Sequence, residues 1–499
     1  MRPESKGLIL VLLLTPASLL GQTLQSTAPP DAAVLSERIH AVEVGLRMPV
    51  TIRGRGGMPI AERMSFYNVP GVSVAVINGG RLEWARGYGV KEAGTSDSVT
   101  SETVFQAASL SKPVTALAAL RLVREGRLAL DGEVNRSLVS WKIPENAFSR
   151  NRKVTLRDLL THRSGLTNSI GAYAPDVHPV PTHVEALDGL SPLKPRAVRV
   201  EFEPGSRFEY SGGGFSVLQL LLEDVTGRRF DEFMHDTVLA PLGMQRSLFS
   251  QPLPNELERF AASGHEPDGS PMPGRWRVLP EAAAGGLWST ASDLARFAIE
   301  LQEAFAGRSS RIIDASLAAQ MLTPELRDWG LGISIQRQGA ARYFTHTGWN
   351  RGYRSLLIGF VETGQGVVIM TNGDSRGTGL ISEIVLAIAQ VYDWPVLRSR
   401  ERTAVAADPG MYPEYVGRYR IDPRLEFTVA SEESRLFISG GPLGSRNVEL
   451  YRESTDTYFP LVTDVAFTFH RNERGIVTGL LVQPGADAQR LAAKVEGGS

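Results

Sequence analysis

Apolar positions along this chain follow more than one period. Residues Val72-Ser73-Val74-Ala75-Val76-Ile77 form a nearly unbroken apolar run, closed by Asn78-Gly79 and followed by Leu82-Glu83-Trp84-Ala85. Such a run predicts a buried strand, and the Asn-Gly dipeptide predicts a tight hairpin with 82–85 as the returning strand. Leu110, Val114, Leu117, Leu120 and Val123 then recur near helical spacing, which predicts a helix over 109–125. Helices are also expected at 34–50, 155–160, 215–225, 292–301 and 380–392. Gly227 supplies a C-terminal stop for the third of these, and Thr290 or Ser292 a cap for the fourth. Strands are expected at 353–360 and 366–371. Strands near both ends with helices between them predict an α/β or α+β body around one antiparallel sheet built from both ends.

The pattern changes after Trp394-Pro395. A polar, Arg-rich stretch over 398–411 reads as a linker. Short strand-like runs follow at 415–421, 425–429, 435–439, 448–451, 466–469 and 476–482, separated by turn signals such as Asp422-Pro423 and Gly440-Gly441. Regular short strands predict a small antiparallel barrel or sandwich over 412–499.

Composition narrows the function classes. The formal net charge of 499 residues is -1, which offers no basic stripe for a nucleic-acid partner. Cysteine is absent, so disulfides, thiolate catalysis and cysteine metal sites are excluded. Arg2 and Lys6 precede the apolar run Leu8 to Leu14. This is the pattern of a secretory signal peptide over 1–22, too short for a membrane span. The mature chain is expected to be secreted or periplasmic, without a span. Its first domain is expected over 30–397.

Candidate chemistry begins at Ser109-Leu110-Ser111-Lys112, an S-x-x-K pattern. A hydroxyl is a weak nucleophile until a base takes its proton. Residues i and i+3 share a helix face, so Lys112 can reach Ser109. A helix N-terminus also favours a developing oxyanion. Pro113 is tolerable only in a first turn, which agrees with a helix beginning near Ser109. Ser191 and Lys194 repeat the pattern in a Pro-flanked loop with no helix to align them. Tyr210-Ser211-Gly212-Gly213-Gly214 reads as a glycine-rich turn that projects the Tyr210 hydroxyl into a cleft. His346-Thr347-Gly348-Trp349 reads as a strand whose glycine lets substrate lie along the backbone.

The order S-x-x-K, Tyr-Ser-x, His-Thr-Gly resembles the class C β-lactamase and D,D-peptidase superfamily, with its esterase and D-aminopeptidase members. The segments 70–76, 159–166 and 284–290 resemble it too, so the likeness spans about 60–393. The resemblance implies a β-lactamase/transpeptidase-like fold, an antiparallel sheet flanked by helices with an all-helical region beside it. It implies acylation of Ser109, with Lys112 and Tyr210 moving the proton. It also implies an oxyanion hole at the Ser109 and Trp349 amides, and substrate along Gly212, Thr347 and Gly348. His346 takes the place of a lysine, and a neutral histidine holds a substrate carboxylate less firmly. Gly212 stands where the family carries an asparagine amide, which tilts the expectation toward esters. The C-terminal strands resemble lipocalin-like domains appended to such hydrolases, and could shape the cleft or hold a homo-oligomer together.

Two rivals remain at this stage. Gly373-Asp374-Ser375-Arg376-Gly377 fits G-x-S-x-G between a strand and a helix, but the chain after it offers only His470 as a partner histidine. A non-catalytic peptide or β-lactam sensor would keep the fold and tolerate Gly212. No metal is expected, because the eight histidines are scattered. No cofactor is expected, because no glycine-rich phosphate loop has the required context. His162 is expected to cap or pack the loop after its helix.

Overall fold

The computed structural model describes residues 31–177, 179–190, 196–485 and 489–495. The expected signal segment and the Ser191/Lys194 pair lie outside the described residues. The main sheet has six antiparallel strands. They are β1 (Gly71–Asn78), β2 (Arg81–Gly89), β3 (Ser334–Gln338), β4 (Ala341–Asn350), β5 (Tyr353–Phe360) and β6 (Gly366–Thr371). Their order is β2-β1-β6-β5-β4-β3, so the N-terminal hairpin pairs with the last strand of the body, as expected.

Both faces of this sheet are covered, which explains the unbroken apolar runs. Val72, Val74 and Val76 face one core with Val367 and Ile369, while Ala75 and Ile77 face the other with Val368 and Met370. The first core lies under α1 (Ala32–Val44), α2 (Ile60–Tyr67) and α8 (Gly377–Val391). The second contains the helical region. There α3 (Ser111–Arg124), α4 (Leu156–Leu160), α5 (Gly212–Thr226), α6 (Ala282–Gly285) and α7 (Ala291–Phe305) surround a large apolar interior. Every residue of α3 from Ser111 to Leu120 is buried, the polar Ser111, Lys112 and Thr115 included.

The structure corrects several boundaries. The helix expected at 34–50 ends at Val44, where Gly45 leaves the helical conformation as the C-cap at a position whose Cβ would stand 2.3 Å from the Ala41 carbonyl; Val50–Ile52 is a strand. The glycine run read as a turn instead opens α5: Ser211 caps it, accepting the Gly214 N–H at 2.9 Å. Thr290 caps α7 in the way expected.

Beyond the body, eight strands form a closed up-and-down barrel. They are β7 (Gly417–Asp422), β8 (Leu425–Glu432), β9 (Arg435–Gly440), β10 (Val448–Arg452), β11 (Thr457–Phe459), β12 (Val465–Arg471), β13 (Val477–Pro484) and β14 (Arg490–Val495). Two of these, β11 and β14, were not expected from the sequence. Alternate side chains such as Tyr419, Phe427, Leu436, Tyr458, Phe469 and Leu480 fill the interior. Arg400–Arg402, inside the expected linker, pairs in parallel with Val50–Ile52. Arg402 also bonds Glu453 at 2.7 Å and Asp464 at 3.0 Å, tying the barrel to the body.

A buried ion pair locks α2 to α8 on the sheet. Arg63 makes a bidentate contact with Glu383 at 2.7 Å for both bonds, and Tyr67 donates to the same carboxylate at 2.7 Å. Removing one partner strands the other charge. Glu383→Ala is therefore expected to destabilise the body by about 3–5 kcal/mol in denaturant unfolding. Glu383→Gln should lose less, because it keeps an acceptor for Arg63 and Tyr67.

Candidate active site

Ser109 lies in a 3₁₀ turn, Ala108–Leu110, immediately before α3 rather than inside its first α-turn. Ala108 is held at φ +52°, a left-handed conformation unusual for alanine, directly before the serine. Side chains from elsewhere fix this turn. Ser111 Oγ donates to the Ala108 carbonyl at 2.6 Å and accepts the Leu287 N–H at 3.0 Å. Ser355 Oγ donates to the Ala107 carbonyl at 2.9 Å. The residues on either side of Ser109 are buried, while Ser109 itself keeps partial exposure.

Lys112 is fully buried one turn further on. Its Nζ donates to Ser109 Oγ at 3.1 Å and to the Ala284 carbonyl at 2.5 Å. It also sits 4.9 Å from the Tyr210 ring centre and 5.6 Å from that of Phe215. Among the described residues, no carboxylate lies within ion-pair distance of Lys112. The Nζ end is thus enclosed by a hydroxyl, a carbonyl and ring faces.

Two histidines and a tryptophan complete the enclosure. The His162 ring lies 4.2 Å from Tyr210 and 5.0 Å from Trp329, and Trp329 lies 5.4 Å from His346. His162 Nδ1 accepts the Ser211 N–H at 3.1 Å, which places its proton on Nε2. His346 Nδ1 meets the Thr347 carbonyl at 2.7 Å, so its proton is on Nδ1 and its buried Nε2 is a bare acceptor. Burial, with Lys112 nearby, pushes His346 down to about 3. The same causes, with His346 added, hold His162 well below the usual histidine range. Both imidazoles are neutral at neutral pH.

The edge of β4 borders this enclosure. β3 pairs with β4 only as far as Thr345, leaving 346–350 without a neighbour on that side. Asn350 and Tyr353 close a two-residue hairpin, so alternation turns the peptide groups of Thr347 and Trp349 toward that free edge. Gly348 faces the Ser109 turn: a Cβ there would stand 2.3 Å from the Ala107 carbonyl and 2.1 Å from Ser355 Oγ. Asn350 anchors the strand end to Gln106 at 3.0 Å and to the Gly285 carbonyl at 3.2 Å.

The Beta-lactamase family profile matches residues 60–389. The chain belongs to the beta-lactamase family. Residues 401–495 match a second profile, described as a domain of unknown function. This beta-lactamase-family chain is 25% identical to penicillin-binding protein 4* of Bacillus subtilis, over 85% of this chain and 95% of that one. Its fold is similar to that of the octameric penicillin-binding protein homologue from Pyrococcus abyssi. That match has a TM-score of 0.57 and 23% identity, and covers 87% and 98% of the two chains. It is also similar to D-amino acid amidase from Ochrobactrum anthropi, with a TM-score of 0.56 and 23% identity, covering 72% and 99%.

Of the residues singled out in the sequence, Ser109, Lys112, Tyr210, His346, Gly348 and Trp349 converge in this family member. Gly212 opens α5 one residue after the Ser211 cap, with its N–H on Asn168 Oδ1 at 2.8 Å. Ser375 lies apart, on the loop between β6 and α8. His265 reaches the neighbouring Asn372 carbonyl at 2.8 Å, but its other ring nitrogen is taken by the Ala93 N–H at 3.0 Å. Three participants escaped the sequence reading. His162 was expected only to pack its loop, and its place between Leu159 and Gly165 in a family-like segment was the available signal. Trp329 and Ile170 carried no signal.

Ile170 answers the question that Gly212 raises. A Cβ on Gly212 would meet Ile170 Cγ1 and Cδ1, each at 2.4 Å. The space that a side chain at 212 would need is filled by a branched hydrocarbon from the loop after Asn168.

Two predictions follow from this packing and titration. Gly212→Asn alone is expected to destabilise by about 1–3 kcal/mol through overpacking. Combined with Ile170→Ala it should be more stable than the two single changes sum to, as a double-mutant cycle in thermal unfolding would show. For His346 the folded value lies below the unfolded one near 6.5, so acid protonates the unfolded chain first. Stability is then lost as pH falls from about 6.5, by up to ~1.4 kcal/mol per pH unit. His346→Gln should flatten that slope between about pH 6.5 and 5.5 in melting curves.

Proposed function

We propose that this chain is a secreted serine hydrolase of the class C β-lactamase-like type, acting through an acyl-serine on small esters, peptides or amides, with a preference for esters. The observation that carries the reading is the fully buried Lys112 Nζ at 3.1 Å from the partly exposed Ser109 Oγ. In this reading Lys112 takes the Ser109 proton as Oγ attacks the substrate carbonyl carbon. The carbonyl oxygen becomes an oxyanion against the Ser109 and Trp349 amides. Tyr210, lying against Lys112, relays the proton to the leaving group as its bond to carbon breaks. Water then attacks the acyl-serine by the same route and restores the Ser109 hydroxyl.

The ester preference is supported by the apolar Ile170 beside Gly212, which offers no donor or acceptor to a substrate amide. Neutral His346 supports it as well, since no cation stands there to hold a substrate carboxylate. Export is supported by Arg2, Lys6 and the apolar run after them. The domain limits 30–397 and 412–499 and a homo-oligomer belong to the same proposal, the latter supported by the octameric Pyrococcus abyssi relative.

A fluorescent phosphonate that labels activated serines tests the nucleophile. Labelling of the wild type is expected, and Ser109→Ala should abolish it and lower ester turnover by on the order of 10³-fold or more. Unchanged labelling in that variant, or labelling lost in Ser375→Ala instead, would sink the assignment. Across a panel of p-nitrophenyl esters, D-alanyl peptides and nitrocefin, esters should be turned over best.

A further inference from the structure

We propose that the groove between the β4–β5 edge and α8 binds the apolar chain of an ester substrate. This rests on the reading of Ser109 as nucleophile, because the groove is the far side of the same strand. Its volume is about 610 Å³, within the range of small-molecule sites. It opens at Thr347 and Trp349 of β4. Leu356 and Ile358 of β5 form its floor. Ile381, Val385 and Leu386 of α8 form its opposite wall.

Strand alternation joins the groove to the site. His346 and Gly348 face the Lys112 enclosure and the Ser109 turn, while Thr347 and Trp349 face the groove. A carbonyl held at the Trp349 amide would lie at the free edge of β4, over which one of its substituents can reach this face. Trp349 is 71% exposed, a large apolar surface that a substrate chain would take out of water. The cation at the mouth is already engaged: the Arg354 guanidinium lies 4.8 Å from the Trp349 ring centre and pairs with Asp374 at 2.7 Å. The remaining rim carries the hydroxyls of Ser375, Thr378 and Ser382. The surface therefore offers apolar area and no free charge, which selects a hydrocarbon chain over a carboxylate-bearing one.

The test uses the full chain. Sodium octanoate and 1-octanol carry the same chain from the acyl and the alcohol side of an ester, and neither needs a nucleophile to bind. In calorimetry one of them is expected to bind at least about tenfold tighter than its two-carbon counterpart, acetate or ethanol. Thr378→Trp, and separately Ser382→Trp, bring an indole into the groove from exposed positions of α8. Either should erase the chain-length preference. In hydrolysis, the kcat/KM ratio of 4-nitrophenyl octanoate to acetate, or of octyl to ethyl acetate, should fall about tenfold in the same variants. The pair that shows the preference identifies which side of the ester lies in the groove. Equal binding of long and short chains overturns the proposal, as does a preference that both tryptophan variants leave intact. A changed light-scattering mass in those variants, with the preference retained, assigns the groove to a second copy and also overturns it. Octanoate or octanol bound by a chain that hydrolyses no ester would support the groove and remove the Ser109 reading.

Discussion

The contact between Lys112 and Ser109 depends on keeping one amine out of water without a counter-ion. Taking a charge from water is costly unless it is paired, and among the described residues no carboxylate pairs with Lys112. Its partners are a serine hydroxyl, the Ala284 carbonyl and two ring faces. The surroundings follow from that choice. A protonated His162 or His346 would repel Lys112, and burial keeps both imidazoles neutral. A carboxylate in their place would hold Lys112 in a salt bridge, away from the Ser109 hydroxyl.

Backbone proximity supplies what charge does not. Gly348 allows the Ala107 carbonyl against β4, and the early end of β3 leaves the β4 edge open for substrate. The left-handed Ala108 lifts the serine out of an otherwise buried segment. Strain at that residue persists because Ser111 and Ser355, from a helix and a strand, grip the carbonyls on either side. The Ser109 turn is therefore held by the two faces it joins, not by its own sequence.

This division explains what could be read in advance. Five of the six strands of the body were legible because buried strands write their period locally, and the chemical motifs were legible through their order, whereas β3 and α2 were not expected from the sequence. The Ser109/Lys112 pair needed its i,i+3 spacing together with the helix that follows it, because Ser191 and Lys194 repeat the spacing without one. Trp329 and Ile170 were silent because their roles arise from contacts between segments distant in the chain, such as Trp329 with His162 and Ile170 with Gly212, with no pattern around them. In the barrel, β11 has three residues, too short for alternation, and β14 carries Arg490 and Lys494 on the same face as the buried Ala492, which breaks the apolar alternation. Closure supplied their partners, not their own sequences.

Gly212 shows why absence of a side chain is not absence of information. Read in sequence, it removed an amide from the expected site and left the substrate question open. In the fold it is one half of a fitted pair, because Ile170 occupies the volume beside it. The loop carrying Ile170 is held in turn by Asn168 on the Gly212 N–H and by Glu281 on the Gly171 N–H at 3.0 Å. Glu281 is the residue before α6, whose Ala284 carbonyl receives Lys112. One short circuit of contacts thus connects the apolar wall to Lys112. A change in what the wall accepts cannot be made at Gly212 alone; it has to move Ile170, and through Glu281 it reaches the segment on which Lys112 rests.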